Sequence, residues 1–144
     1  MNPDPREVLS TRVIDAPPEK VFRAWQEAAH LTRWFGPDGF TSTFRQFDFR
    51  PGGDWNFIFH GPDGKEYDNH FVFREVDPSR IVVEHLSQPH FVLESLHEEV
   101  DGGTRITWHQ RFDSQEVRDK LAAICVPANE QNFDRLQAEL ERMP

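Results

Sequence analysis

The chain has 144 residues, and its 25 acidic against 16 basic side chains give a formal charge of −9, which repels phosphate backbones and anionic headgroups and argues against nucleic acid as a partner. A lone cysteine, Cys125, excludes an internal disulfide and a thiolate zinc site, which suits a reducing cytoplasm. The opening stretch Met1-Asn2-Pro3-Asp4-Pro5-Arg6-Glu7 lacks the regions of a signal peptide, and no apolar run is long enough for membrane insertion, so a cytoplasmic protein forming one domain over 1–144 is expected.

Val8 to Ile14 alternates weakly and is rich in β-branched residues, which predicts a first strand. Asp15-Ala16-Pro17-Pro18 ends it and starts a helix, because proline suits a first helical turn and Glu19 favours the positive end of the helix dipole. Val21, Phe22 and Trp25 form the apolar stripe of that helix. A short second helix around Leu31 to Phe35 is stopped by Gly36-Pro37-Asp38-Gly39. Beyond Phe40, turn signals at Arg50-Pro51-Gly52-Gly53, Gly61-Pro62-Asp63-Gly64, Asp77-Pro78, Gln88-Pro89 and Asp101-Gly102-Gly103 divide the chain into six meandering strands. Their expected spans are 40–49, 54–60, 66–76, 80–86, 90–100 and 103–113. After Asp113-Ser114 the apolar period turns helical, through Val117, Leu121, Ile124, Cys125 and Ala128 to Phe133, Leu136, Leu140 and Met143. Pro127 predicts either a kink in one long helix or a restart at a first-turn position, and the favoured expectation is a short helix before the main one. This order predicts an α+β domain: seven antiparallel strands curving around a C-terminal helix, with two short helices after the first strand.

Three Phe-x-Phe triplets, Phe47-Asp48-Phe49, Phe57-Ile58-Phe59 and Phe71-Val72-Phe73, fall on strands, and side chains two apart share a face. One face of the sheet is therefore paved with rings, supplied by 13 Phe and 4 Trp in all. Such rings either interlock as a core or leave a gap that a flat apolar ligand fills, and both outcomes are open here. Following the inward face from hairpin to hairpin gives Trp55, Phe57 and Phe59, then Tyr67, Asn69, Phe71 and Phe73. Ile81, Val83 and His85 come next, followed by Phe91, Leu93, Ser95 and His97, and then Ile106, Trp108, Gln110 and Phe112. Phe133 of the last helix faces them, and Trp34 is expected to brace the mouth of a cavity lined by these rings. Asp48 points outward, toward Arg45 or Arg50, and Cys125 reads as a small buried hydrophobe.

The stretches from Asp15 to Trp25, Trp34-Phe35-Gly36-Pro37-Asp38-Gly39, Arg50-Pro51-Gly52-Gly53-Asp54-Trp55 and Gly61-Pro62-Asp63-Gly64-Lys65 resemble the helix-grip SRPBCC superfamily, which is START-like. Within it they resemble the branch named after the activator-of-heat-shock-protein-ATPase homology domain. Glu75-Val76-Asp77-Pro78-Ser79-Arg80-Ile81 and Gly102-Gly103-Thr104-Arg105 continue the match across nearly the whole chain. The resemblance implies a grip fold with a hydrophobic cavity between sheet and C-terminal helix, used across the superfamily for lipids, polyketides and other small apolar molecules. It does not imply one activity. Relatives often carry a His and a Gly-Trp pair where this chain has Ala128-Asn129-Glu130-Gln131-Asn132-Phe133.

The expected ligand-binding wall is Trp34, Trp55, Phe57, Phe59, Tyr67, Asn69, Phe71, Phe73, His85, Phe91, Ser95, His97, Trp108, Gln110 and Phe133. Ser95 and His97 invite a nucleophile and base reading, but their Cα atoms stand about 7 Å apart along a strand. That is long for a direct hydrogen bond, and Glu94 and Glu98 point to the other face, so both residues are read as polar lining with no catalytic set. The seven histidines are spread over both faces, so neither a metal nor a cofactor is expected. The leading expectation is a non-enzymatic carrier or sensor for a small hydrophobic ligand. The alternatives are a cyclase or hydrolase using His97, His85, Tyr67 or Ser95 as acid-base groups, and a chaperone-interacting protein.

Overall fold

Alternating side chains between glycine and proline turns produce one antiparallel sheet, ordered β1-β7-β6-β5-β4-β3-β2, in the computed structural model, which describes residues 4–144. Of the N-terminal stretch Met1 to Glu7, residues 1–3 lie outside the described residues. The strands are β1 (Glu7–Ile14), β2 (Thr41–Phe47), β3 (Asp54–His60), β4 (Glu66–Asp77), β5 (Arg80–His85), β6 (Phe91–Val100) and β7 (Gly103–Phe112). Helices α1 (Pro18–Gln26) and α2 (Ala28–Trp34) follow β1, and α3 (Gln115–Arg142) closes the chain. The meander leaves β2 at one edge, while β1 returns across the sheet to pair with β7 at the other.

The pairings place the inward residues in register. Trp55 faces Phe71 and Phe57 faces Asn69 across β3 and β4. Phe71 faces His85, His85 faces Phe91, Leu93 faces Gln110 and Ser95 faces Trp108. A bulge between Phe44 and Gln46 brings both Phe44 and Phe47 onto this face, opposite Phe57 and Trp55. Phe44 is thus an inward ring that strict alternation from Phe47 and Phe49 does not reveal.

The expected break at Pro127 does not occur: α3 is continuous over 28 residues. Pro127 removes one backbone donor, but both it and Ala123, whose carbonyl loses that bond, are exposed, so water can serve the carbonyl and the helix continues. Ser114 caps its start, with the Val117 N–H donating to Oγ at 3.2 Å. Phe133, Leu136 and Leu140 are buried against the sheet and the short helices. Arg12 of β1 reaches Glu130 at 2.9 Å and also pairs with Asp134, tying that half of α3 to the sheet. On the other side, buried Glu139 lies 2.7 Å from His30 of α2. On the outer face, Arg50 donates to Asp48 at 2.7 Å.

Candidate functional site

The stripe of α3 that faces the sheet changes character along its length. Cys125, Ala128, Asn129 and Asn132 are small or short, whereas Phe133, Leu136, Leu140 and Met143 are large. Spacings of three and four keep them on one side of the helix. Opposite the large residues, rings interlock: Trp25 meets Trp34 edge-on at 5.2 Å, and Trp108 lies 4.8 Å from Phe133. Opposite the small residues the same ring-paved sheet stays uncovered. A cavity of about 540 Å³ results.

Phe59, Phe71, Phe91 and Trp108 form its sheet wall, with Leu93 among them, and Phe35 closes one side. Phe40 and Tyr67 stand at the rim with Asp68, and Gln88 and Pro89 form another lip. Ile124 of α3 also borders the opening and is 67% exposed. The lip from Phe35 to Asp38 is held from α3. Asn132 accepts the Gly36 N–H at 2.7 Å, Gln131 accepts the Asp38 N–H at 2.9 Å, and Arg135 donates to the carbonyls of Arg33, Gly36 and Pro37. Burial among these carbonyls pushes the Arg135 pKa down. Gly36 has φ +127, and a Cβ there would sit 2.8 Å from the Phe59 ring, so both backbone and space demand glycine at this lip.

Two polar groups interrupt the apolar wall. His85 is sandwiched between Phe71 and Phe91, with ring centroids at 4.6 and 4.8 Å. Its Nδ1 donates to the Pro89 carbonyl at 2.6 Å, and Nε2 lies 2.9 Å from the Asn69 carboxamide. Burial pushes its pKa below the ordinary value, a stronger effect than the bond to Pro89, which favours the charged ring. The second group pairs Gln110 with Asn129, whose Nδ2 donates to Gln110 Oε1 and to Ser10 Oγ, each at 3.2 Å. Cys125 is half-buried at the cavity instead of fully enclosed, and burial pushes its thiol pKa up.

Of the residues expected from the sequence, the structure gathers Phe59, Tyr67, Asn69, Phe71, His85, Phe91, Trp108 and Gln110 around the cavity. It places Trp34, Trp55, Phe57, Phe73, Phe133, Ser95 and His97 in the packed interior, off the cavity wall. Trp34 is not at a mouth: it is 0% exposed and donates its indole N–H to the Ala24 carbonyl at 3.0 Å. The helical turn points Trp34 inward with Leu31, and Phe35, the next residue, takes the cavity side. Asn129 and Asn132 were missed by the sequence reading, and the signal for them was their place on the inward stripe at 125, 128, 129 and 132.

Ser95 and His97 do meet, contrary to the expectation from ideal strand spacing, with Oγ and Nε2 2.8 Å apart. His97 Nδ1 donates to the Pro78 carbonyl at 3.0 Å, so Nε2 is the acceptor and the serine hydroxyl donates to it. Trp108 Nε1 in turn donates to Ser95 Oγ at 2.9 Å. The chain of bonds is complete, and burial holds the His97 pKa below the ordinary value. The bond resembles an activated nucleophile, but Ser95 is 0% exposed and does not line the cavity, so a reacting carbon has no route to its oxygen. Among the described residues no group of three or more His, Cys, Asp or Glu side chains is arranged to hold a metal ion, and no helix is long and apolar enough to cross a membrane.

Solved structures share this architecture over the whole chain. A protein from Nitrosomonas europaea superposes with a TM-score of 0.88 at 20% identity, covering 99% of each chain. One from Rhodobacter sphaeroides gives 0.88 at 21% identity, covering 100% of this chain and 98% of that one. A third, Ms6760 from Mycobacterium smegmatis, gives 0.86 at 22% identity, covering 98% and 94%. At these identities the likeness concerns the fold. No curated protein matches the sequence significantly. The family model described as activator of Hsp90 ATPase homolog 1-like protein matches residues 15–141, so with its helix-grip, SRPBCC-type architecture the chain belongs to that family.

Proposed function

We propose that this protein binds a small, largely apolar molecule in the cavity between β3–β7 and the middle of α3, as a non-enzymatic carrier or sensor. One observation carries the reading: the ring-paved sheet stays uncovered where α3 presents Cys125, Ala128, Asn129 and Asn132, leaving about 540 Å³ walled by aromatic side chains. Ligand pockets of roughly 300–1,000 Å³ with apolar walls and a few polar groups accept molecules of drug-like size. Membership of a family with the grip fold supports the same reading. A cyclase or hydrolase reading is weaker, because Ser95 and His97 satisfy each other away from the cavity.

Titration with Nile red, a neutral planar dye whose emission rises in apolar surroundings, tests the proposal. At about 0.3 kcal/mol per non-hydrogen atom, a dye of this size should bind in the low micromolar range. Ala128→Trp, which fills the cavity from α3, should abolish binding while the protein stays folded. Equal binding by both proteins, or none by the wild type, would refute the proposal.

A further inference from the structure

Gln110 and Asn129 are each only 6% exposed, yet neither is fully bonded. Asn129 spends both amide hydrogens, on Ser10 and Gln110, and its Oδ1 has no partner among the described residues. Gln110 accepts through Oε1, and its Nε2 has no partner among the described residues. Neither free atom is sealed from the cavity or solvent, and both residues line the cavity. The result does not depend on how the amides are turned. If both are reversed, Gln110 donates to Asn129, and a free amide NH2 and a free acceptor oxygen still remain.

We infer that this pair is a recognition site for a neutral head group that both donates and accepts a hydrogen bond, such as a phenolic hydroxyl or an amide, on a ligand whose planar body lies against Phe71, Phe91 and Trp108. The inference rests on reading the cavity as a ligand site. A spare donor beside a spare acceptor matches a hydroxyl, which is both, better than a carboxylate, which only accepts. No Lys or Arg lines the cavity among the described residues, and Asp68 at its rim adds negative charge to a chain already at −9. Arg135, behind the lip, commits its guanidinium to three carbonyls. A buried carboxylate on the ligand would therefore lose its hydration with no cation to replace it. Apolar ligands without a head group would leave both amide atoms unpaired, at a further cost.

Displacement of bound Nile red by 2-naphthol, naphthalene and naphthalene-2-carboxylate at neutral pH separates these cases. The expected order is 2-naphthol tightest, by about tenfold over naphthalene, equivalent to roughly 1.4 kcal/mol, with the carboxylate weakest. In Gln110→Met and in Asn129→Leu the preference for 2-naphthol over naphthalene should fall to near unity. Should either variant fail to fold, the side-chain amide resonances of Gln110 and Asn129 in the wild type give the same answer: they should shift with 2-naphthol much more than with naphthalene. Equal affinities for 2-naphthol and naphthalene, tighter binding of the carboxylate, no displacement by 2-naphthol, or unmoved amide resonances would each overturn the inference while leaving the cavity reading standing. Failure of Nile red itself to bind removes both.

Discussion

The middle and the C-terminal part of α3 meet the same sheet and produce opposite results. At the C-terminal end, Phe133, Leu136 and Leu140 drive into rings supplied by α1, α2 and the sheet, and Trp25, Trp34 and Trp55 interlock with no exposed surface worth counting. In the middle of the helix, Cys125, Ala128, Asn129 and Asn132 stop short of Phe71, Phe91 and Trp108, and α1 does not line the gap. Ring content alone therefore does not decide between core and cavity. The size of the opposing side chain does, because a void is filled only when something long enough faces it.

Substitutions on the two halves should break this comparison most sharply. Phe133→Ala removes a fully buried ring at the closed end and should cost about 3–5 kcal/mol in urea unfolding. A loss below about 1 kcal/mol would show that the closed half is not tightly packed. Ala128→Trp at the open end should leave the unfolding free energy within about 1 kcal/mol, since it adds volume where space exists.

The polar chain through Ser95 comes next in size. Ser95→Ala strands the Trp108 N–H and removes the donor to His97, and should destabilise the fold by about 1–3 kcal/mol. Nile red affinity should change little, because Ser95 is off the cavity wall. A large loss of affinity without loss of stability would place Ser95 in the site after all.

Smaller effects should appear in the pH dependence, where the interior and the surface respond with opposite sign. Burial lowers the pKa of His97 in the folded protein below the ordinary 6.5, so acid protonates the unfolded chain first. Its contribution to stability is present above about 6.5 and is lost as pH falls through the folded value. His90 behaves in reverse: bonds to Glu84 and Asp113 raise its pKa, so its contribution is complete below about 6.5 and is lost as pH rises through the folded value. In chemical unfolding across this range, His97→Gln should flatten the slope on the acid side and His90→Gln the slope above it. An unchanged acid slope in His97→Gln would mean that the ring already titrates freely in the fold. Least affected should be the exposed pair of Arg50 and Asp48, where Arg50→Ala should shift stability by no more than about 0.5 kcal/mol. A larger cost would give that surface turn a structural role.

Strand order, hairpin register and the inward ring face were legible along the chain because a period of two, punctuated by glycine and proline turns, is a local property. The pairing of Trp55 with Phe71 and of Leu93 with Gln110 follows from it. Family membership was legible too, through the order of those turns. Other features depend on contacts between distant segments or on departures from ideal geometry. The bulge after Phe44 moved an extra ring inward, and exposure of Pro127 and Ala123 let α3 run on unbroken. The reach of the His97 ring, anchored at Nδ1 to the Pro78 carbonyl, brought Nε2 to 2.8 Å from Ser95 Oγ along a strand with unbroken register, although the Cα spacing alone keeps them apart. Which rings became core and which became wall was a tertiary outcome as well, since it depended on how far each residue of α3 reaches across to a sheet folded from another part of the chain.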